Sequence, residues 1–164
     1  MALTKINNNT LSAVTTLPSA IATGTVLQVV QAKLTTEAST TSTSYASTNL
    51  TAAITPSATS SKILVLVSQN VQMERQTFEI VTVVQLLRGS TSISVKAVGV
   101  GTGAANGQGG RDVVSIVNLD SPSTTDAITY KTQGKLNTTA NSATCRFQEA
   151  GAYRSEITLI EIAG

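Results

Sequence analysis

The chain has 164 residues, enough for one substantial core, and is 41% apolar but only 12% charged and 3% aromatic. It has no His, no Trp, a single Cys and a formal net charge of +2. Imidazole-based catalysis and zinc ligation are thereby excluded, as is an intrachain disulfide, and the thinly spread Lys and Arg form no basic stripe that would track nucleic-acid phosphates.

Low charge signals disorder only when apolar content is low as well. Here the apolar residues concentrate in β-branched runs, which fit a pleated surface better than a helix, so the composition predicts a folded Thr/Val-rich β protein. No basic segment followed by a long apolar run opens the chain, and no stretch approaches the length of a membrane span. The expectation is a protein made in the cytoplasm, not exported by the usual route and not inserted in a membrane.

Residues 1–24 differ from the rest of the chain. Thr4–Thr10 is polar and turn-prone, Pro18 interrupts any helix, and the apolar residues Leu3, Ile6, Leu11, Val14, Leu17 and Ile21 are irregularly spaced. Two readings stay open: a frayed terminus, or an extended arm whose isolated apolar side chains dock on a neighbouring chain. The arm is preferred. Residues 25–164 then read as one domain.

Gly24 admits a first strand over 26–34. A Ser/Thr/Ala tract continues to residue 49, with Tyr45 its only bulky residue and a short edge strand expected around it. Leu50, Ala52 and Ile54 alternate cleanly toward one face. After the turn-rich Thr55–Ser61 comes Lys62-Ile-Leu-Val-Leu-Val-Ser-Gln69, apolar from Ile63 to Val67 without a break. Ile63, Val65 and Val67 point to one face, Leu64 and Leu66 to the other, so both faces call for cover. No amphipathic helical pattern of useful length exists to provide it. The second cover has to be another sheet or another subunit.

Residues 78–87 alternate Phe78, Ile80, Thr82, Val84 and Leu86 against their neighbours, and Arg88-Gly89-Ser90 turns the chain into 91–100, a hairpin signal. Residues 99–110 are Gly-rich and superficially resemble a phosphate cradle, but no helix starts at their end. They read as a long surface loop, with Gly103, Asn106, Gln108 and Arg111 the candidates for exposed contacts. Residues 113–119 are again apolar on both faces. The turn Asp120–Thr125, a strand over 127–136, a loop 137–141, a short strand 143–148 and a last strand 155–162 complete the chain.

Eight or nine turn-punctuated strands without a helix predict an all-β fold, an antiparallel jelly-roll β-sandwich preceded by a short extended arm. In such a roll the first and last strands can lie together inside one sheet, which would protect both. The two-faced strands nominate Leu64, Leu66, Val114 and Ile116 as subunit-interface residues. The acids Glu37, Glu74, Glu79, Asp112, Asp120, Asp126, Glu149, Glu156 and Glu161 are scattered, and solvated faces and turns explain them better than a folded catalytic pair. Cys145 has no catalytic or ligating neighbour in sequence. The chain is read as no enzyme, with no catalytic residues, no metal site and no cofactor.

Several phrases together carry a resemblance: 16–31 ("TLPSAIATGTVLQVVQ"), 55–65 ("TPSATSSKILV"), 86–93 ("LLRGSTSI"), 119–131 ("LDSPSTTDAITYK") and the closing "ITLIEIAG". In combination they resemble virion surface proteins of tailed bacteriophages, marine ones especially. The resemblance implies a jelly roll that assembles as a trimer, as a short fibre, knob or capsid decoration on the virion surface, stabilising the capsid or adhering to the host. Its partners would be a major capsid or tail protein held through the arm, and a glycan of the host surface, with no nucleic acid. A lectin-like carbohydrate-binding sandwich is the alternative, though only Tyr45, Phe78, Tyr130, Phe147 and Tyr153 offer aromatic surface for a sugar.

Overall fold

The computed structural model describes residues 24–75, 80–100, 108–149 and 153–164. Ten strands account for most of them: β1 (Val26–Leu34), β2 (Ala38–Thr40), β3 (Ala46–Ile54), β4 (Lys62–Arg75), β5 (Ile80–Arg88), β6 (Thr91–Val100), β7 (Gln108–Asp120), β8 (Ile128–Leu136), β9 (Thr144–Phe147) and β10 (Ser155–Ile162). A 3₁₀ turn, Ala140–Ser142, precedes β9. Residues 1–23, with the arm positions Leu3, Ile6, Leu11, Val14, Leu17 and Ile21, lie outside the described residues, as do Phe78, Gly103 and Asn106.

Every strand pairing among the described residues is antiparallel. One sheet runs β1-β10-β4-β7 and the other β3-β8-β5-β6. Among the described strands only β5 and β6 pair as consecutive ones, through the expected turn at Gly89, whose φ of 59° suits glycine. First strand beside last, with the chain crossing repeatedly between a six-stranded and a four-stranded sheet, is the jelly-roll topology that the alternation predicted. The protection expected for both terminal strands holds for one of them. β10 is central, between β1 and β4, but β1 is an edge.

The long strand β4 is the spine of its sheet. Its first half pairs with β10 from Lys62 to Ser68, its second half with β9 from Val71 to Glu74, and its whole length with β7. β9 in turn carries the short β2. The β10-to-β9 exchange is bridged at Gln148, whose φ is 65° and whose amide donates to the Asn70 carbonyl at 3.0 Å.

Inward residues follow the period of two. Ile63, Val65 and Val67 meet Leu50, Ile54, Ile80, Val84 and Leu86 from the opposite sheet, and Ile157, Leu159, Met73 and Phe147 complete one continuous core. Each such side chain contributes roughly 1.5–3 kcal/mol by leaving water, which is what drives the two sheets together. The alternation fails most clearly on β6. Expected on one face, Ile93, Val95 and Ala97 are separated by a register shift opposite Leu86 and Leu87, so Ile93 packs against the core while Val95 is exposed.

Candidate functional site: the outer face of the β4 sheet

The side of the β1-β10-β4-β7 sheet that faces away from the core changes character along β4. Its outward residues read Lys62, Leu64, Leu66, Ser68, Asn70, Gln72 and Glu74. At about 3.3 Å per residue this face extends roughly 40 Å, apolar near one end and polar at the other.

In the apolar half, Val29, Ile160, Leu64 and Leu119 stand in one row across four strands, and Gln31, Thr158, Leu66 and Val117 in the next. Their neighbours leave Val117 70%, Val29 58% and Leu119 54% exposed, and Leu64 and Leu66 half-buried. A third row, Lys33, Glu156, Ser68 and Ser115, closes the patch with opposite charges on adjacent strands. Contiguous apolar residues on a sheet face, rather than scattered ones, mark a contact surface.

Of the four expected interface residues, the structure brings Leu64 and Leu66 to this face and places Val114 and Ile116 inside the sandwich, each 1% exposed. β7 is apolar on both faces, as its sequence indicated, but its outward set is Val113, Val117 and Leu119. One β strand's composition cannot tell which of its two apolar faces looks inward. The partner strand decides, because Val114 and Ile116 share a face with the inward residues of β4 through the pairs Gln69–Val114 and Val67–Ile116.

The polar half is built by β9, β4 and β7, with Arg146, Gln72 and Arg111 in one row. Arg111 was expected on a loop but lies on β7. Its Nε and Nη2 donate to the two Glu149 carboxylate oxygens at 2.7 and 3.0 Å, and its guanidinium stacks over the Tyr153 ring at 5.3 Å. The paired hydrogen bonds hold Glu149 below the usual carboxylate range and raise Arg111 above the usual guanidinium value. Arg146 donates to Glu74 at 2.8 Å and to Gln72 at 3.4 Å, and approaches Glu37 at 3.4 Å. Gln72 in turn donates to Glu74 at 3.1 Å. Asn70, Val71, Gln72, Arg111, Glu149 and Tyr153 line a small cleft within this belt. The sequence offered little sign of it, since Arg111, Arg146, Glu149 and Tyr153 converge only through strand pairing.

The opposite end of the sandwich holds a shallow depression of about 370 Å³ beside Arg88. There the Arg88 guanidinium is committed to both Asp120 oxygens, at 2.9 and 3.0 Å, and the Tyr130 hydroxyl donates to the same carboxylate at 2.7 Å. Burial, reinforced by Asp120, pushes the Tyr130 hydroxyl far above its ordinary pKa, so it stays a donor. Cys145 is buried, and burial pushes its thiol up to about 12, which leaves no thiolate for chemistry near neutral pH. Among the described residues no three Cys, Asp or Glu side chains gather as a metal ion would require, and no helix is long and apolar enough to cross a membrane. No family model matches the chain, and no curated protein matches it either.

Proposed function

We propose that the chain is a structural protein of a tailed-phage virion, a jelly-roll knob or decoration that assembles as a homotrimer and is held on the particle through residues 1–24. The observation that carries the reading is the apolar half of the outer face, where Val29, Val117 and Leu119 stand exposed beside Leu64, Leu66 and Ile160. A second copy of this chain is the occupant that fits. The apolar rows carry no charge to repel an identical surface, and Lys33 and Glu156, which border them, offer one charge of each sign to a neighbour. Around a threefold axis the three identical patches converge on one another, so every copy's patch is covered at once. The resemblance of the sequence to phage virion surface proteins supplies the biological setting.

Sedimentation of the isolated protein at micromolar concentration tests the assembly. A trimer is expected for the wild type, and monomers that keep their β-sheet circular dichroism for Val117→Asp, because a charge placed in a covered apolar patch costs several kcal/mol. Leu64→Asp should act in the same direction. A wild-type monomer with normal stability would sink the reading.

A further inference from the structure

The apolar half leaves the polar half of the same face to explain, and we infer that the Arg111–Glu149–Tyr153 belt binds a neutral glycan of hexose units.

Two properties of the belt set the ligand class. First, its central ions are spent on each other: Arg111 on Glu149, and Arg146 on Glu74 with Glu37 close by. Arg154, exposed at the rim beside Tyr153, lies outside these pairs, but one solvated cation recruits an acidic polymer only weakly. Strongly charged ligands therefore gain little there. What the belt offers instead is a set of acceptors at short spacing, the Asn70 amide oxygen and the carboxylates of Glu74 and Glu149, held in place by amide and guanidinium donors that are committed within the belt. Vicinal sugar hydroxyls, each both donor and acceptor, match such an array. Second, Tyr153 is 42% exposed and its ring is braced by the Arg111 guanidinium. A fixed aromatic surface next to polar side chains suits a hexose, which has an apolar C–H face and a polar rim.

The geometry also keeps the belt accessible. The Gly24 amide donates to the Ala163 carbonyl at 3.0 Å, so the point where residue 24 joins the sandwich lies at the apolar end of the face, beside Ile162 and Lys62. The belt occupies the other end of β4. Assembly through the apolar rows therefore leaves it uncovered. The cleft is too small to enclose a sugar ring, which would lie across the surface. Such a site is weak in one copy and gains from several. It is nonetheless complete within a single copy, so it stands or falls independently of the assembly.

Native electrophoresis in gels containing dextran, mannan, galactan or alginate tests the inference on the full chain. Retardation by at least one of the three neutral polymers is expected, with alginate without effect. Tyr153→Ala should weaken it at least tenfold, Gln72→Ala should weaken it as well, and Val117→Ser, on the apolar half, should leave it unchanged when its oligomeric state is unchanged. Sedimentation of the same samples separates the two ideas, since a retarded monomer keeps the glycan site and removes the trimer. No retardation by any neutral polymer overturns the inference. So does retardation by alginate alone, or retardation that survives both Tyr153→Ala and Gln72→Ala.

Discussion

The Glu161 carboxylate accepts both the amide of Ser57, at 2.7 Å, and the hydroxyl of the same residue, at 2.6 Å, across 104 positions of sequence. Its second oxygen accepts from Gln28 Nε2 at 2.6 Å, and Gln28 also donates to the Thr55 carbonyl at 2.7 Å. One fully buried acid thus ties β1, β10 and the turn before β4 together. Burial alone would push its pKa up, but the hydrogen bonds from Ser57 and Gln28 favour the charged form more strongly and hold it at about 2.

Stability should therefore depend on pH. The folded pKa lies below the ordinary 4.5, so the carboxylate's contribution is complete above about pH 4.5 and is lost as pH falls toward 2. Glu161→Gln should lower stability by about 2 kcal/mol at pH 7, the scale of hydrogen bonds to a charged group. Denaturation curves between pH 7 and 2.5 should show the wild type and the variant converging as the pH falls. A gap that stays constant over that range would mean that the carboxylate's charge plays no part.

Gln69 joins the two sheets through the middle of the core. Its Nε2 donates to Ser155 Oγ at 2.9 Å, and its Oε1 accepts from the Thr132 hydroxyl at 2.9 Å, which faces the Thr48 hydroxyl at 2.5 Å. All four residues are buried. Gln69→Leu keeps the approximate size but removes one buried hydrogen-bond partner each from Ser155 and Thr132, leaving them the Asn70 amide and the Thr48 hydroxyl. The expected loss is about 2 kcal/mol, read as a drop in melting temperature of roughly 6 °C for a chain of this length. An unchanged or raised melting temperature would mean that apolar packing can replace the network.

Gly134 lies under the Phe147 ring. A Cβ at position 134 would fall well inside van der Waals contact of Phe147 Cζ and Cε1, in a core where Phe147 has no room to retreat. Gly134→Ala should cost about 1–3 kcal/mol through overpacking, and adding Phe147→Leu should recover part of that. If the double variant is no more stable than the sum of the two single changes predicts, the contact between them is not the cause.

Residues 1–24 provide the test of attachment. Deleting residues 1–22 should leave the sandwich folded, with unchanged melting and oligomeric state, because the described residues by themselves already form one continuous core. Incorporation into particles should be lost. A truncated protein found on virions at normal occupancy would move the attachment to the globular domain.

Much of the sandwich was legible because its strands keep, over most of their length, a period of two between turns. Leu50, Ala52 and Ile54 on β3, and Ile80, Thr82, Val84 and Leu86 on β5, all face inward as their spacing implied. Strands apolar on both sides were legible as needing a second cover, but not as to which side was which. Leu64 and Leu66 were placed outward by their partners, Val114 and Ile116 inward by theirs. The polar belt was illegible for a different reason. Arg111 and Glu149 are 38 residues apart and belong to strand regions that never pair with each other, meeting only because both flank β4. Local sequence carries no trace of such a meeting.

The position of β10 has a consequence for how the protein is made. β1 is synthesised first, yet its only strand partner among the described residues is β10, the last strand of the roll, which also fills the place beside the first half of β4. Until β10 leaves the ribosome, both neighbours present unpaired backbone, and the core lacks Ile157 and Leu159. Topologies that join distant segments fold late and slowly, so the nascent roll stays open while its chain is being extended. Limited proteolysis of stalled nascent chains should find them cleaved at every length that stops before residue 155 and resistant once residue 162 is clear. Because β10 also supplies Ile160 to the apolar half of the outer face, that surface is completed only as the sandwich closes. An unfinished chain therefore has no proper patch with which to recruit its neighbours, and assembly waits for folding.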